Sequence, residues 1–470
     1  MPEHSKINSL SAITEGRVTA TVLHTYGSVA FPLAAAFIAL QVIIPTFYAE
    51  TTGLSLTTIG LVLLAARLWD LFTDPIVGTL SDMTPPRFGK RKAWMVMSAP
   101  VIMLATWQLF VPPADANWTH LLVWTFLIYV GGTMAIVPMN AWSAELSSDY
   151  DERSRISGTR AGYGLVGTLA ALLLTAMASS QTSDLQQPLR LIALMAIATL
   201  AITATLTAFR VPDRTPTTLP DNALKAAIKL LKTPGPFRQL LVSFLLNSVG
   251  NAIPATLFLL YVAYVLKVPE MAGKLLFLYF LCAAISVPAW IRVAKHFGKH
   301  QTWIFAILLT CVFFSAAPFL SYETRAVFYA IVLLTGITAG ADLVLPVAIK
   351  GDLIEWDEYT NGYKRPGVFF AIWGTTTKLA FGLAIGIAFP LLELAGFSTG
   401  SAKAAADIAE EVSTTSGIIA LAILYGGPAI FFKLLACWLM RDYPITRTEH
   451  ERIRSALQTR KDSAVAETGS

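Results

Sequence analysis

Hydrophobic and polar positions along this chain alternate on the scale of whole helices rather than of single residues. Mostly apolar runs of roughly 20–30 residues, each bounded by Pro, Gly or charges, recur from residue 22 to residue 440. Their limits are 22–48, 57–80, 93–112, 118–143, 156–179, 188–209, 239–266, 271–294, 302–320, 326–349, 367–396 and 415–440. A helix that crosses a bilayer needs ~20 such residues, and the runs are too long and continuous for barrel strands of ~10 residues. Backbone groups in lipid must be satisfied within the segment. The pattern therefore predicts an all-α polytopic membrane protein with twelve crossing helices.

Composition agrees with that reading and narrows it. The 470 residues are 55% hydrophobic and 14% charged, against about 45–50% and about 25% for soluble domains. The net charge of +5 is too small and too dispersed for a nucleic-acid partner. Cys282, Cys311 and Cys437 all sit inside apolar runs, and no metal site is read from the six histidines. The polar stretch before the first run and the length of that run argue against a cleaved targeting segment.

Lys and Arg fix the expected orientation, because they are retained on the cytosolic side. The two tails and the connectors after even-numbered spans, with the span ends beside them, hold 27 of them; the connectors after odd-numbered spans, with their adjoining span ends, hold only Arg190, Lys267, Lys274, Arg325 and Lys403. Both termini are expected in the cytosol of a cell whose inner, or plasma, membrane the chain crosses. The expected organisation is a cytosolic tail 1–21, a six-helix half 22–210, a cytosolic linker 211–238, a second six-helix half 239–440 and a cytosolic tail 441–470. The linker is rich in proline around one short amphipathic stretch, 221–232. Phe88-Gly89-Lys90-Arg91-Lys92-Ala93-Trp94 after span 2 matches Phe297-Gly298-Lys299-His300-Gln301-Thr302-Trp303 after span 8 at four positions. Two six-span halves in parallel repeat, with a central site between them, is the arrangement of major-facilitator transporters.

Charges inside the spans are the candidate chemistry. A charge at the bilayer centre costs at least ~2.5–3.5 kcal/mol, and span 2 carries Arg67, Asp70 and Asp74. At ~100° per residue Asp70 lies about 60° and Asp74 about 20° from Arg67, so the three share one face. One arginine offsets one carboxylate and leaves roughly one negative charge for Na⁺ or H⁺, with the Thr73 hydroxyl as a further oxygen. An ion-pair cluster tying span 2 to its neighbours is the competing reading. Pro75 follows at once and frees a helix carbonyl at that level. Lys378 in span 11, followed by Gly382 and Gly386, is far from either end of its span and is expected to face the interior, toward the carboxylates or an anionic substrate group. Lys433, Asp342 and Glu393 lie nearer span ends, where snorkelling explains them. Tyr26, Gln41, Asn140, Trp142, Asn247, Asn251, Tyr261 and Trp373 supply a polar and aromatic lining; interhelical hydrogen bonding or an interfacial belt accounts for each one equally well.

The run from Arg67 through Asp70, Thr73, Asp74, Pro75 and Gly78 to Asp82, Arg87, Gly89 and Lys90 resembles the span-2 signature of the glycoside-pentoside-hexuronide:cation symporters, the major-facilitator branch that includes melibiose permease. Trp142 to Leu146 with Asp149 to Arg153, Gly351 to Glu358, and Lys378 with its glycines agree with it, and the tail after Tyr443-Pro444 also resembles the lysophosphatidylcholine symporters of the same family. The resemblance implies a cation site at Asp70 and Asp74 with Thr73, a substrate cavity that includes Trp142 and Arg160, and Lys378 near both. It implies no cofactor beyond the coupling ion, Na⁺ or H⁺, and a small-molecule substrate. A lipid-embedded monomer is expected. Charges on the cytosolic connectors, Asp82, Arg87, Lys90, Asp151, Arg153, Asp352, Glu355 and Arg365, are expected to act as gates.

Departures from the sugar permeases bear on the substrate. Ala34 and Pro138 stand where those permeases place sugar-holding aspartates. Unbonded sugar hydroxyls would forfeit their hydration, so an amphipathic, anionic or lysolipid substrate competes with a glycoside, pentoside or hexuronide. The absence of hydrolase or metalloenzyme motifs speaks against an enzyme, while a membrane sensor or scaffold stays open.

Overall fold

The structure is a computed structural model that describes residues 13–14, 17–85, 89, 91–147, 150–179, 185–213, 230, 232–233, 235–362, 366–399 and 415–468. A two-residue hairpin pairs β1 (Ile13–Thr14) with β2 (Arg17–Val18). The helices that follow are α1 (Ala20–Ser28), α2 (Ala30–Val42), α3 (Ile44–Thr51), α4 (Leu56–Met83), α5 (Lys92–Phe110), α6 (Trp118–Leu146), α7 (Tyr150–Ser179) and α8 (Gln186–Arg210). After the linker come α9 (Pro236–Leu260), α10 (Ala272–Phe297), α11 (Lys299–Phe314), α12 (Arg325–Asn361), α13 (Pro366–Leu394), α14 (Thr415–Met440) and α15 (Arg447–Thr468).

Twelve segments among the described residues are long and apolar enough to cross a membrane, from Ala20–Val42 to Thr415–Met440. Side-chain caps set some of their starts: Ser55 Oγ accepts from the Thr58 amide at 3.2 Å, and Asn117 Oδ1 from the His120 amide at 3.0 Å. The first span is divided into α1 and α2 at Val29, and α9 ends in a π-helical turn, Tyr261–Val265. Helix α12 ends at Gly362, whose φ of 72° suits a residue without a Cβ.

The apolar reading found the spans but not the full helices. Helix α12 has 37 residues, about 55 Å, so it outruns a ~30 Å hydrocarbon core; its last turns, with Asp352, Glu355 and Asp357, are polar. Polar turns are as helical as apolar ones, and hydropathy sees only the part that meets lipid. The amphipathic stretch at 221–232 falls largely outside the described residues.

The internal sequence match has a backbone counterpart. Gly89 and Gly298 both take positive φ, 74° and 90°, and each carbonyl accepts a helix-opening amide, from Ala93 at 2.9 Å and Thr302 at 3.1 Å. A positive-φ glycine thus stands just before α5 and just before α11.

The molecule divides into two compact units. One comprises residues 1–219 with 255–277 and 385–420; the other comprises 220–254, 278–384 and 421–470. In the first, Tyr26, Met95, Ile102, Met139, Trp142 and Ile156 share one core. Backbones come close where glycine permits: a Cβ at Gly167 of α7 would collide with the Phe31 backbone of α2. The hairpin is tied to α7, since the Val18 amide donates to Glu152 Oε1 at 3.0 Å and Arg155 Nη2 donates to the Val18 carbonyl at 3.0 Å. In the second unit Trp290, Trp303, Leu345, Phe369, Trp373 and Met440 form the core.

Within the first unit the span ends that flank connectors expected outside the cell pack on one another. Glu393 Oε2 of α13 accepts from the Thr57 amide of α4 at 2.6 Å, and Thr399 donates its hydroxyl to the Ala49 carbonyl. A Cβ at Gly60 would lie 3.0 Å from Phe389 Cβ, and one at Gly386 would lie 2.6 Å from Leu64 Cδ2. Snorkelling does not describe Glu393: it satisfies a first-turn amide of α4.

Candidate functional site

Helix α4 brings the sequence-predicted carboxylates to the inner side of the first unit. Asp70 is 1% exposed, Arg67 and Thr73 are buried, and Asp74 is half-buried. Arg67 Nη1 lies 3.5 Å from Asp70 Oδ2 and its guanidinium sits 4.0 Å over the Tyr129 ring. Thr73 Oγ1 donates to the Asp70 carbonyl at 3.1 Å and lies 3.4 Å from Asp70 Oδ1. Pro75 is accommodated inside α4, which continues to Met83.

A residue the sequence reading missed joins the pair. Thr133 Oγ1, buried on α6, is 2.8 Å from Asp70 Oδ1 and 2.8 Å from Asp74 Oδ1. The two carboxylate oxygens are thus at most twice that distance apart. One hydroxyl proton serves one of them at a time. Gly131 and Gly132 precede it and let α6 approach α5 and α2 closely, a Cβ at Gly132 lying 2.5 Å from Phe37 Cζ, but they do not mark its contact with α4.

Asn140, Arg160, Tyr26 and Trp142 also belong to the first unit. Arg160 Nη1 donates to Asn140 Oδ1 at 2.6 Å, with Asn140 exposed and Arg160 half-buried. Tyr26 and Trp142 are fully buried and edge-packed with centroids 6.1 Å apart. Tyr26 donates to the Met139 carbonyl at 2.6 Å and the Trp142 indole to the Pro212 carbonyl at 3.0 Å, so both polar tips are engaged by backbone.

Asn247, Asn251 and Lys378 lie in the second unit. Lys378 is half-buried on α13. Asn251 Nδ2 donates to Asp342 Oδ2 at 3.0 Å, Lys433 Nζ donates to Asn247 Oδ1 at 3.0 Å, and the Trp303 indole donates to Asp342 Oδ1 at 2.6 Å. Lys433 is 4% exposed and lies 3.6 Å from Asp342. The snorkelling expectation for Lys433 and Asp342 is therefore corrected: they form a buried, hydrogen-bonded cluster, because a partner was available within reach and a buried charge without one is costly.

Among the charges expected to gate, Arg87, Lys90 and Arg365 and the side chain of Asp151 lie outside the described residues. Asp82 Oδ1 receives Arg91 Nη2 at 2.8 Å, and Arg91 also reaches Glu145 Oε1 at 2.6 Å and Ser81 Oγ at 2.6 Å. Arg91 was not singled out in the sequence, although it is buried and holds three elements together. Arg153 Nε donates to the Ser147 carbonyl at 2.7 Å. In the second unit Asp352 pairs with Lys299, and Glu355 Oε2 lies 2.8 Å from His450 Nε2 of α15.

Glu355, hydrogen-bonded to the imidazole, and Asp352 beside it pull the His450 pKa up, against burial and the Lys299 charge. A raised folded-state value means that protonated His450 holds α15 in place below the ordinary value near 6.5, and that this contribution fades as pH rises through the raised value. Protection of the α15 amides, taken relative to their intrinsic exchange rates at each pH, is expected to fall as pH rises through the His450 transition, and that fall is expected to vanish in His450→Ala. An unchanged profile in that variant would assign the anchoring elsewhere.

Comparison with known proteins follows the same lines. A family described as "MFS/sugar transport protein" matches residues 25–447. The chain belongs to that family. It is 24% identical over 446 residues to the human sodium-dependent lysophosphatidylcholine symporter 1, covering 86% of this chain and 79% of that protein. It is 22% identical over 431 residues to a glucuronide carrier protein homologue of Escherichia coli K12, covering 88% and 90%. Among solved structures, the inward-open xylose transporter XylE of E. coli superposes with a TM-score of 0.60 at 13% identity, covering 93% of this chain and 98% of that one. The MFS family member described here therefore has the twelve-helix major-facilitator fold and is a multi-pass membrane transporter rather than an enzyme.

Proposed function

We propose that the protein is a cation-coupled symporter whose ion is held by Asp70, Asp74, Thr133 and Thr73. The observation that carries this is the single Thr133 hydroxyl at 2.8 Å from an oxygen of each carboxylate. Two carboxylates gathered on one hydroxyl repel until a cation or proton joins them, and hard cations take oxygen ligands of this kind. Arg67 offsets one charge, which leaves room for one monovalent ion per cycle. Sodium is the preferred ion, supported by the name of the human lysophosphatidylcholine symporter, whose sequence is 24% identical.

The proposed solute is amphipathic with one anionic group. Span 1 leaves Phe31, Ala34, Phe37 and Ile38 half-buried, with Leu33 in the core, while Arg160 with Asn140 is a partly exposed donor pair suited to an oxyanion. A glucuronide is the second reading, favoured by the similarity to the bacterial carrier homologue; it too carries one carboxylate. The proposed setting is a plasma membrane with both termini cytosolic and the protein a monomer. The connector charges Asp82, Arg153, Asp352 and Glu355 make and break pairs as access alternates.

Uptake into proteoliposomes under an imposed Na⁺ gradient, and separately a proton gradient, tests the reading with labelled lysophosphatidylcholine, a phenyl glucuronide and melibiose. Gradient-driven accumulation of the first or second supports it. Transport of melibiose alone overturns the substrate class, and no accumulation under either gradient overturns symport.

A further inference from the structure

Lys350 of α12 is a buried cation that the mechanism above does not use. It is 3% exposed. Its ammonium lies 3.8 Å from the centroid of Phe370 and 4.8 Å from that of Trp373, both on α13. No carboxylate, hydroxyl or carbonyl among the described residues accepts a hydrogen bond from it. Aromatic faces stabilise an ammonium through their quadrupole, but they accept none of its three N–H groups in the way water does, and a buried charge without a partner is disfavoured. The sequence counts Lys350 among the basic residues of the connector after span 10.

The surroundings are shaped to admit a partner. Trp373 is held in place by Phe244, stacked at 3.8 Å between centroids, so one wall of the cage is fixed. Phe370, the other wall, is 54% exposed and lies over the ammonium. Cβ atoms built on the neighbouring Gly351 and Gly374 would meet nothing within 4 Å, so α12 and α13 are uncovered at those two positions.

We propose that Lys350, with Trp373 as wall and Phe370 as cover, seats the phosphate or carboxylate of an anionic amphiphile, whose apolar portion lies against Phe370. The ammonium donates to the oxyanion, and movement of one exposed phenyl ring opens the way. This deepens the proposed transport reading by adding an anion seat in the second unit, and it rests on that reading only for the route by which the ligand arrives.

The test is equilibrium binding to the purified full chain in maltoside detergent, with octyl phosphate as the anionic amphiphile, octyl glucoside as the neutral one and inorganic phosphate as the free anion. Lys350→Met is expected to lower octyl phosphate affinity by about 10- to 100-fold, the range for loss of a charge-assisted hydrogen bond. It should leave octyl glucoside binding where it was, and Lys350→Arg should retain phosphate binding. Because methionine removes a buried charge that has no hydrogen-bond acceptor among the described residues, at similar volume, the unliganded variant should melt higher than wild type. Unchanged octyl phosphate affinity in Lys350→Met, or an equal loss for octyl glucoside, overturns the proposal. Inorganic phosphate binding as tightly as octyl phosphate overturns the amphiphile and upholds the oxyanion. Lys350-dependent binding without gradient-driven uptake of any anionic amphiphile overturns the symport reading alone.

Discussion

Asp70→Asn and Asp74→Asn are each expected to abolish gradient-driven accumulation while exchange across the membrane partly survives. An amide in place of either carboxylate keeps the volume and the hydrogen-bonding shape but removes the charge that the cation meets, so the ion no longer drives the solute. Thr133→Val separates the hydroxyl from the charges. It deletes a group that lies 2.8 Å from an oxygen of each carboxylate, and a lost hydrogen bond to a charged group costs about 1.5–3 kcal/mol. The cation concentration for half-maximal uptake should rise by about 10- to 100-fold, and Thr133→Ser should restore most of it. Full concentrative uptake by either Asn variant, or an unchanged cation dependence in Thr133→Val, would sink the cation-site assignment.

The contrast between Asp70 and Thr133 shows what the sequence could and could not convey. Asp70, Asp74 and Arg67 announce themselves because a charge in an apolar run needs a reason, and helical periodicity alone places them on one face. Thr133 is an unremarkable residue in an apolar helix; what makes it a partner is the contact of α6 with α4, which only tertiary packing creates. The same limit explains Lys433 and Asp342. Nearness to a span end suggests snorkelling, whereas the structure supplies Asn247, Asn251 and Trp303 as partners contributed by other helices.

The spans themselves were legible to within a few residues, since lipid imposes length and apolarity directly on sequence. Where helices leave the hydrocarbon that constraint lapses. The polar end of α12 and the start of α7 at Tyr150 were therefore read short, and the hairpin at Ile13–Val18 went unseen. Arg91 was passed over among four neighbouring basic residues. Its burial between Asp82, Glu145 and Ser81 depends on how α4, α5 and α6 converge.

Linking α4 to α13 by a disulfide at Gly60→Cys with Phe389→Cys is expected to stop transport, with recovery on reduction. In the first unit these positions bring a Cβ at 60 to 3.0 Å from the Cβ of 389. A disulfide prefers about 3.5–4.5 Å, so the helices need separate by only about half an ångström. Around them Glu393 holds the Thr57 amide and Thr399 holds the Ala49 carbonyl, contacts that close the span ends expected outside the cell. A solute entering from that side requires α4 and α13 to part there, as alternating access demands. The oxidised pair should lose at least about 90% of uptake, a barrier increase of about 1.4 kcal/mol or more, while purified protein still binds the coupling ion. Truncating Phe389 in the core costs stability on its own, about 3–5 kcal/mol at most, so each single variant measured with and without oxidant provides the baseline. Those singles should be insensitive to oxidation, because Cys311 and Cys437 are buried and Cys282 is half-buried in the second unit. Undiminished uptake by a fully cross-linked pair would mean that this packing is a permanent part of the fold and not a gate.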